Sequence, residues 1–81
     1  LPEILINLDK IKKGISILDL IAENKILSSK SEARRVMANR GFKINDKTIE
    51  DEKKIIKFKD FEKKIFKLSY GKKKHYLVKI I

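Results

Sequence analysis

The sequence predicts an α+β domain, two short helices packed on a small, mainly antiparallel sheet, and three observations carry that reading. Eighty-one residues leave room for one hydrophobic core and one domain. Apolar residues between Leu18 and Met37 recur three and four positions apart, the spacing of a helix face. After Gly41 the period shortens to two, the spacing of strands with one buried face.

The elements follow in chain order. Residues 1–14 are assigned to a linker or lead-in segment, because Ile4, Ile6 and Leu8 alternate with Leu5, Asn7 and Asp9 behind Pro2. The domain proper is expected over residues 15–81. Ser16 with Asp19 three positions on resembles a capping box, and Leu18, Ile21 and Ala22 then repeat at helical spacing, so a helix is placed at about Ser16 to Asn24. Ser29 with Glu32 is the stronger start signal. Ala33, Val36 and Met37 form its apolar face and Gly41 supplies a left-handed stop, giving a helix from Ser29 to about Arg40. Phe42 and Ile44 alternate with Lys43 and Asn45, and Asn45-Asp46 suits a tight turn. Ile55, Ile56 and Phe58 mark a further strand, and Asp60-Phe61-Glu62 a turn. Phe66, Leu68 and Tyr70, then Tyr76, Val78 and Ile80, form a hairpin around Gly71-Lys72-Lys73-Lys74. Met37, Phe42, Phe58 and Phe66 are expected in the core.

The net charge of +10, from 21 basic and 11 acidic residues, calls for a polyanionic partner. Lys and Ile enrichment can also come from AT-rich codon usage, so placement says more than the total. All three arginines, Arg34, Arg35 and Arg40, fall within seven residues. Residues 28 to 49 hold six basic and two acidic groups, and residues 68 to 81 hold four lysines and no acid. The chain therefore has two basic centres. An acidic run, Glu50-Asp51-Glu52, lies between them without metal-ligand spacing, and is expected in a solvated loop that would repel RNA.

With no Cys, disulfides, thiolate chemistry and cysteine zinc sites are excluded. One His builds no metal cluster, and no apolar run approaches the roughly 20 residues of a membrane span. An intracellular, cytoplasmic protein without membrane association is expected. The first residue is Leu1, which suggests a piece of a longer protein. His75 has no carboxylate or nucleophile in its segment and reads as a surface hairpin residue. Ser28, Ser29 and Ser31 lack a general base. No catalytic residue, metal ligand or cofactor site is expected in this stretch.

Binding residues are a different matter. A helix start at Ser29 presents free amides and a positive dipole end, and Lys30 and Arg34 share a row roughly 60 to 100° from Ala33, with Arg35 further round. Arginine can engage phosphate with a planar fork. Lys43 projects opposite Phe42 and Ile44. The plain alternative is a solvated helix face with Glu32 as its partner. The tip Lys72, Lys73 and Lys74 can be a solubilising turn or a contact. Tyr70 and Tyr76 flank it, open to base stacking but equally at home in a hairpin core.

The stretch Ser29-Lys30-Ser31-Glu32-Ala33-Arg34-Arg35, followed by Gly41-Phe42-Lys43-Ile44-Asn45, resembles the small RNA-binding domain named after ribosomal small-subunit protein S-four. Leu18-Asp19-Leu20-Ile21 and Ile26-Leu27 are similar to that family's first helix and turn. Gly71-Lys72-Lys73-Lys74-His75-Tyr76-Leu77-Val78-Lys79-Ile80 looks like the extreme C-terminus of bacterial tyrosyl-tRNA synthetases, and with Leu1-Pro2-Glu3-Ile4 the resemblance to their C-terminal tRNA-binding domain covers nearly the whole chain.

This resemblance implies a parent enzyme that activates tyrosine with ATP and transfers it to its tRNA, and a domain that grips the variable arm and anticodon stem. The parent is expected to dimerise through its catalytic domain, the fragment to be monomeric. Carried over by position, Lys30, Arg34, Arg35 and Lys43 are expected backbone contacts, Lys72 to Lys74 a second contact, and Arg40 either a phosphate contact or an altered helix end. Arg40-Gly41 stands where the family commonly has two glycines, and Asp46 where Gly is frequent. A ribosome-associated or stand-alone RNA module of the same fold, and a polybasic membrane-surface or protein-interaction module, are the competing readings.

Overall fold

The computed structural model describes all 81 residues, Leu1–Ile81. Its elements are β1 (Glu3–Ile6), α1 (Leu8–Lys13), β2 (Ile15–Ser16), α2 (Ile17–Glu23), α3 (Lys30–Ala38), β3 (Phe42–Ile44), β4 (Lys47–Thr48), β5 (Ile55–Ile56), a 3₁₀ turn (Phe58–Asp60), β6 (Ile65–Tyr70) and β7 (Lys74–Ile80). The class is α+β, as the change of period at Gly41 requires, with three helices instead of the two expected.

Five strands form one sheet in the order β1-β7-β6-β3-β4, and β2 pairs with β5 in a separate two-stranded sheet. Every pairing is antiparallel except β1 with β7, where Ile4 lies opposite Val78 and Ile6 opposite Ile80. The pleat divides the main sheet into two faces. Ile4, Ile6, Phe42, Phe66, Leu68, Val78 and Ile80 are buried with the helices' Ile11, Leu20, Ile21, Ala33 and Met37 in one continuous core. The other face carries Glu3, Leu5, Lys43, Ile65, Lys67, Ser69, His75, Leu77 and Lys79. No helix is long and apolar enough to cross a membrane.

Residues 1–14 do not stand apart from the domain. The extended reading holds for Glu3–Ile6, but these residues complete the sheet edge, with Leu77 N–H donating to Pro2 O at 2.9 Å and Ile81 N–H to Ile6 O at 2.9 Å. At Asn7 the side chain accepts from Asp9 N–H at 2.8 Å and starts α1, which buries Ile11. Burying Ile4, Ile6 and Ile11 stabilises the fold by about 1.5–3 kcal/mol each, so the segment is structural. Gly14 ends α1 at φ 86°, and a Cβ there would lie 2.6 Å from Ile55 Cγ2. Only glycine lets β2 reach β5 at this point.

Both later helices end on Schellman motifs. After α2, Ile26 N–H donates to Ile21 O and Lys25 N–H to Ala22 O, each at 3.1 Å, with Lys25 left-handed at φ 56°. After α3, Gly41 N–H donates to Val36 O and Arg40 N–H to Met37 O, each at 2.9 Å, with Arg40 left-handed at φ 59°. The left-handed stop is thus Arg40, one residue before the glycine that the sequence suggested. Gly41 is needed for a different reason. A Cβ on it would collide with the Val36 side chain and sit 3.0 Å from Val36 O.

Two cap expectations are also corrected. Ser16 makes no side-chain cap hydrogen bond, since it is held in β2 opposite Ile55, and Asp19 pairs with Lys30 instead. Ser29 caps α3 as expected, accepting from Glu32 N–H at 3.2 Å, but the Glu32 carboxylate takes the Ser28 hydroxyl at 2.9 Å instead of returning to the cap amide. Asn45 and Asp46, both at positive φ, turn β3 into β4.

Phe58 is not in the core: it is 53% exposed, and Phe61 is buried in its stead against Phe66, ring centroids 4.7 Å apart. The cause is Asp60. Its carboxylate accepts from Lys57 N–H at 2.8 Å and from the Lys54 ammonium at 3.1 Å, closing the 3₁₀ turn and ending the strand at Ile56.

Candidate nucleic-acid interface

The cationic side chains marked by the sequence divide into two sets by what they touch. Lys30 pairs with Asp19 of α2. Arg34 Nε lies 3.4 Å from Glu52 Oε2, and Arg40 Nε 2.9 Å from Glu50 Oε1. The acidic run therefore folds against α3, where Arg34, Met37, Ala38 and residues Glu50 to Lys53 line a shallow cleft. With Arg40 on Glu50 counted, three positive and three negative side chains meet there, so the charges of the cluster balance. Arg35, Lys43, Lys72, Lys73 and Lys74 are exposed and form no ion pair.

Local structure explains where the second set sits. Arg35 belongs to the last turn of α3, where its charge complements the helix dipole. Lys43 stands on the open face of β3 in a row with Thr48 on one side and Ser69 on the other. Ser69 in turn lies opposite His75, and the Ser69 hydroxyl and His75 Nδ1 are 2.9 Å apart. His75 is thus half-buried on the open sheet face, with Ser69 between it and Lys43. Ser69, 3% exposed, is the one buried polar residue and lies on that same face, away from the core.

The hairpin tip is tied to α3 at its root. Gly71 N–H donates to Gly41 O at 3.0 Å, and Tyr70 pairs with Phe42, their rings stacked at 5.3 Å between centroids and 30° between planes. On the far side of the same helix, Ser28 and Glu32 line a groove of about 560 Å³ with Tyr70, Lys74 and Lys25. The start of α3 and the hairpin, some forty residues apart in sequence, therefore meet in space. The structure brings the start of α3 to the hairpin root. Arg34 and Arg40 stand outside that groove, paired with Glu52 and Glu50.

Lys25 is the residue that the sequence reading passed over. Its signal was the end of α2, because Asn24-Lys25-Ile26 falls where a Schellman motif wants a left-handed residue, and a lysine there is held clear of the helix. One carboxylate near the interface is perturbed. A hydrogen bond from Lys67 and the charge of that ammonium 2.9 Å away hold the Asp46 carboxyl below its ordinary value, so Lys67 is also neutralised. No group of three or more acidic, His or Cys side chains is gathered to hold a metal ion. Chemically, the arrangement offers phosphate-binding cations and an aromatic face.

Comparison with known proteins places this geometry. The family model described as the tyrosine–tRNA ligase SYY-like C-terminal domain matches residues 3–78. A tyrosine–tRNA ligase from Pelagibacter ubique is 47% identical over 81 residues, covering 100% of this chain and 20% of the relative. Tyrosine–tRNA ligases from Rickettsia conorii and Bartonella quintana are 43% and 44% identical, covering 99% and 98% of this chain and 20% and 19% of those proteins. The chain spans about a fifth of the length of the curated relatives it matches. With a family model over nearly its full length and relatives above 40% identity, the chain belongs to the family of tyrosine–tRNA ligase C-terminal domains.

Proposed function

We propose that this domain binds tRNA on behalf of a tyrosine–tRNA ligase, holding the variable arm and anticodon stem while the remainder of the enzyme, acting in the cytoplasm as a homodimer, activates tyrosine with ATP and transfers it. The domain itself uses no cofactor and contributes no catalytic residue. One observation carries the reading: Lys74 of the uncompensated hairpin, Lys25 and the start of α3 line a single groove. Recognition is of backbone and shape, because A-form grooves hide base edges and the free side chains are cations. Lys72, Lys73 and Lys74 reach phosphates from the tip, and Arg35 and Lys43 extend the surface along α3 and β3. Lys30, Arg34 and Arg40 join only when RNA phosphates displace their carboxylates, an exchange of exposed pairs that costs about 0–1 kcal/mol each.

The test is binding of the 81-residue chain to a transcript of tyrosine tRNA with and without its long variable arm. Tighter binding to the intact transcript is expected. Equal affinity for both would remove the proposed specificity, and an affinity independent of salt would remove the phosphate mechanism.

A further inference from the structure

The groove between the α2–α3 connection and the hairpin root has features that a phosphate contact alone does not require. Tyr70 lines it half-buried, its ring fixed by stacking on Phe42, with Lys74 Nζ 5.7 Å from the ring centroid. Lys25 and Lys74, both exposed and neither paired with a carboxylate, stand at its margins. Lys25 is held in the left-handed region at φ 56°, where a glycine would be free of strain but would leave this margin uncharged. The volume, about 560 Å³, lies in the range of small-ligand sites.

We infer that this groove accepts one unpaired nucleotide of the bound RNA, its base stacked against Tyr70 and its flanking phosphates on Lys25 and Lys74. The inference rests on the tRNA-binding reading and assigns it a base-holding subsite. A pre-fixed aromatic face loses little conformational freedom when a base is laid on it. The Lys74 ammonium, already over the ring, moves only from the ring face to a phosphate, exchanging one weak cation contact for a stronger one. Glu32 is the one acid in the groove. Its carboxylate takes the Ser28 hydroxyl at 2.9 Å and has further acceptor capacity for a base N–H, which favours an amino-bearing base at that end and keeps phosphates at the lysine end. Tyr76, the only other tyrosine, is outside the groove and serves as an internal control.

The experiment has two arms, both against a tyrosine tRNA transcript. In the first, Tyr70→Leu weakens binding by about 5- to 150-fold while the dependence of affinity on salt keeps its slope, because an uncharged contact is lost, and Tyr70→Phe binds within roughly twofold of the parent sequence. In the second, the unsubstituted chain carries ¹³C-labelled tyrosine rings, and added tRNA shifts the Tyr70 ring resonances through the ring current of the stacked base and leaves those of Tyr76 in place. The second arm decides the matter even if Tyr70→Leu does not fold. Binding by a folded Tyr70→Leu variant at unchanged affinity, a loss accompanied by a lower salt slope, or Tyr70 resonances unmoved at saturating tRNA would each overturn the subsite while leaving tRNA binding intact. A chain that binds no tRNA at all overturns the underlying reading as well.

Discussion

Ion pairing divides the cations of this domain, and the division can be read as a salt dependence. Each phosphate neutralised by a free cation adds about 0.7–0.9 to the slope of log affinity against log salt. Lys72, Lys73 and Lys74 are exposed and unpaired, whereas Arg34 and Arg40 already face Glu52 and Glu50. Replacing the three tip lysines by alanine should therefore lower the slope by about 2–3 and weaken binding about a hundredfold near 0.15 M salt. Arg34→Ala combined with Arg40→Ala removes two of the molecule's three arginines but should change the slope by less than about 1, because both are already paired with carboxylates. Conversely, Glu50→Gln with Glu52→Gln unmasks both arginines and should raise the slope by about 1–2 and tighten binding. The assay is fluorescence anisotropy of a labelled tyrosine tRNA transcript titrated at several salt concentrations between about 50 and 200 mM. A large slope loss in the double arginine variant, with none in the triple lysine variant, would refute the assignment of the interface to the hairpin side.

Further expectations concern the scaffold. Arg40→Gly relieves left-handed strain of about 1–2 kcal/mol, offset by a more flexible unfolded chain and by loss of the exposed pair with Glu50, for a net gain of about 0.5 kcal/mol and a melting temperature a few degrees higher; Arg40→Ala should show no such gain. Phe61→Ala should cost about 3–5 kcal/mol in urea unfolding, while Phe58→Ser should change stability by less than about 0.5 kcal/mol, the reverse of what hydrophobicity along the chain suggests. The Asp46 carboxyl should titrate below an ordinary carboxylate by NMR and return toward it in Lys67→Met. Its lowered folded value means that its contribution to stability is present above the unfolded value and is lost as the pH falls through the folded one, so the Lys67→Met chain should show a weaker fall in stability over that acid range.

Much of the fold was legible because its signals are local. Ser29 before an apolar repeat, the change of period at Gly41, Asn45-Asp46 between alternating runs, and a glycine-led lysine tip each act over a handful of residues, and each became the element expected. Misreadings arose where a local pattern met a distant partner. Leu1 to Lys10 reads as a free extended segment until β7, seventy residues away, supplies the strand that pairs with it. Phe58 follows Ile55 and Ile56 in an apolar run, yet Asp60 captures Lys54 and Lys57 and turns it outward. Gly41 has the composition of a helix stop, but the left-handed residue is Arg40 and the glycine answers to Val36.

For the proposed interface, the sequence by itself determined where the positive charge is concentrated: an excess in two centres, with every arginine in one. Only the tertiary structure decided which of those charges are free. Charge is a property of composition, but neutralisation depends on what lies within a few ångströms, and Glu50 and Glu52 reach Arg40 and Arg34 only when the chain after β4 folds back on α3. The same folding joins Lys25 to Tyr70 and Lys74, residues that no spacing along the chain connects. Contacts of that kind arise from packing the helices and the hairpin on one core, which is why the groove between them had no counterpart in the sequence.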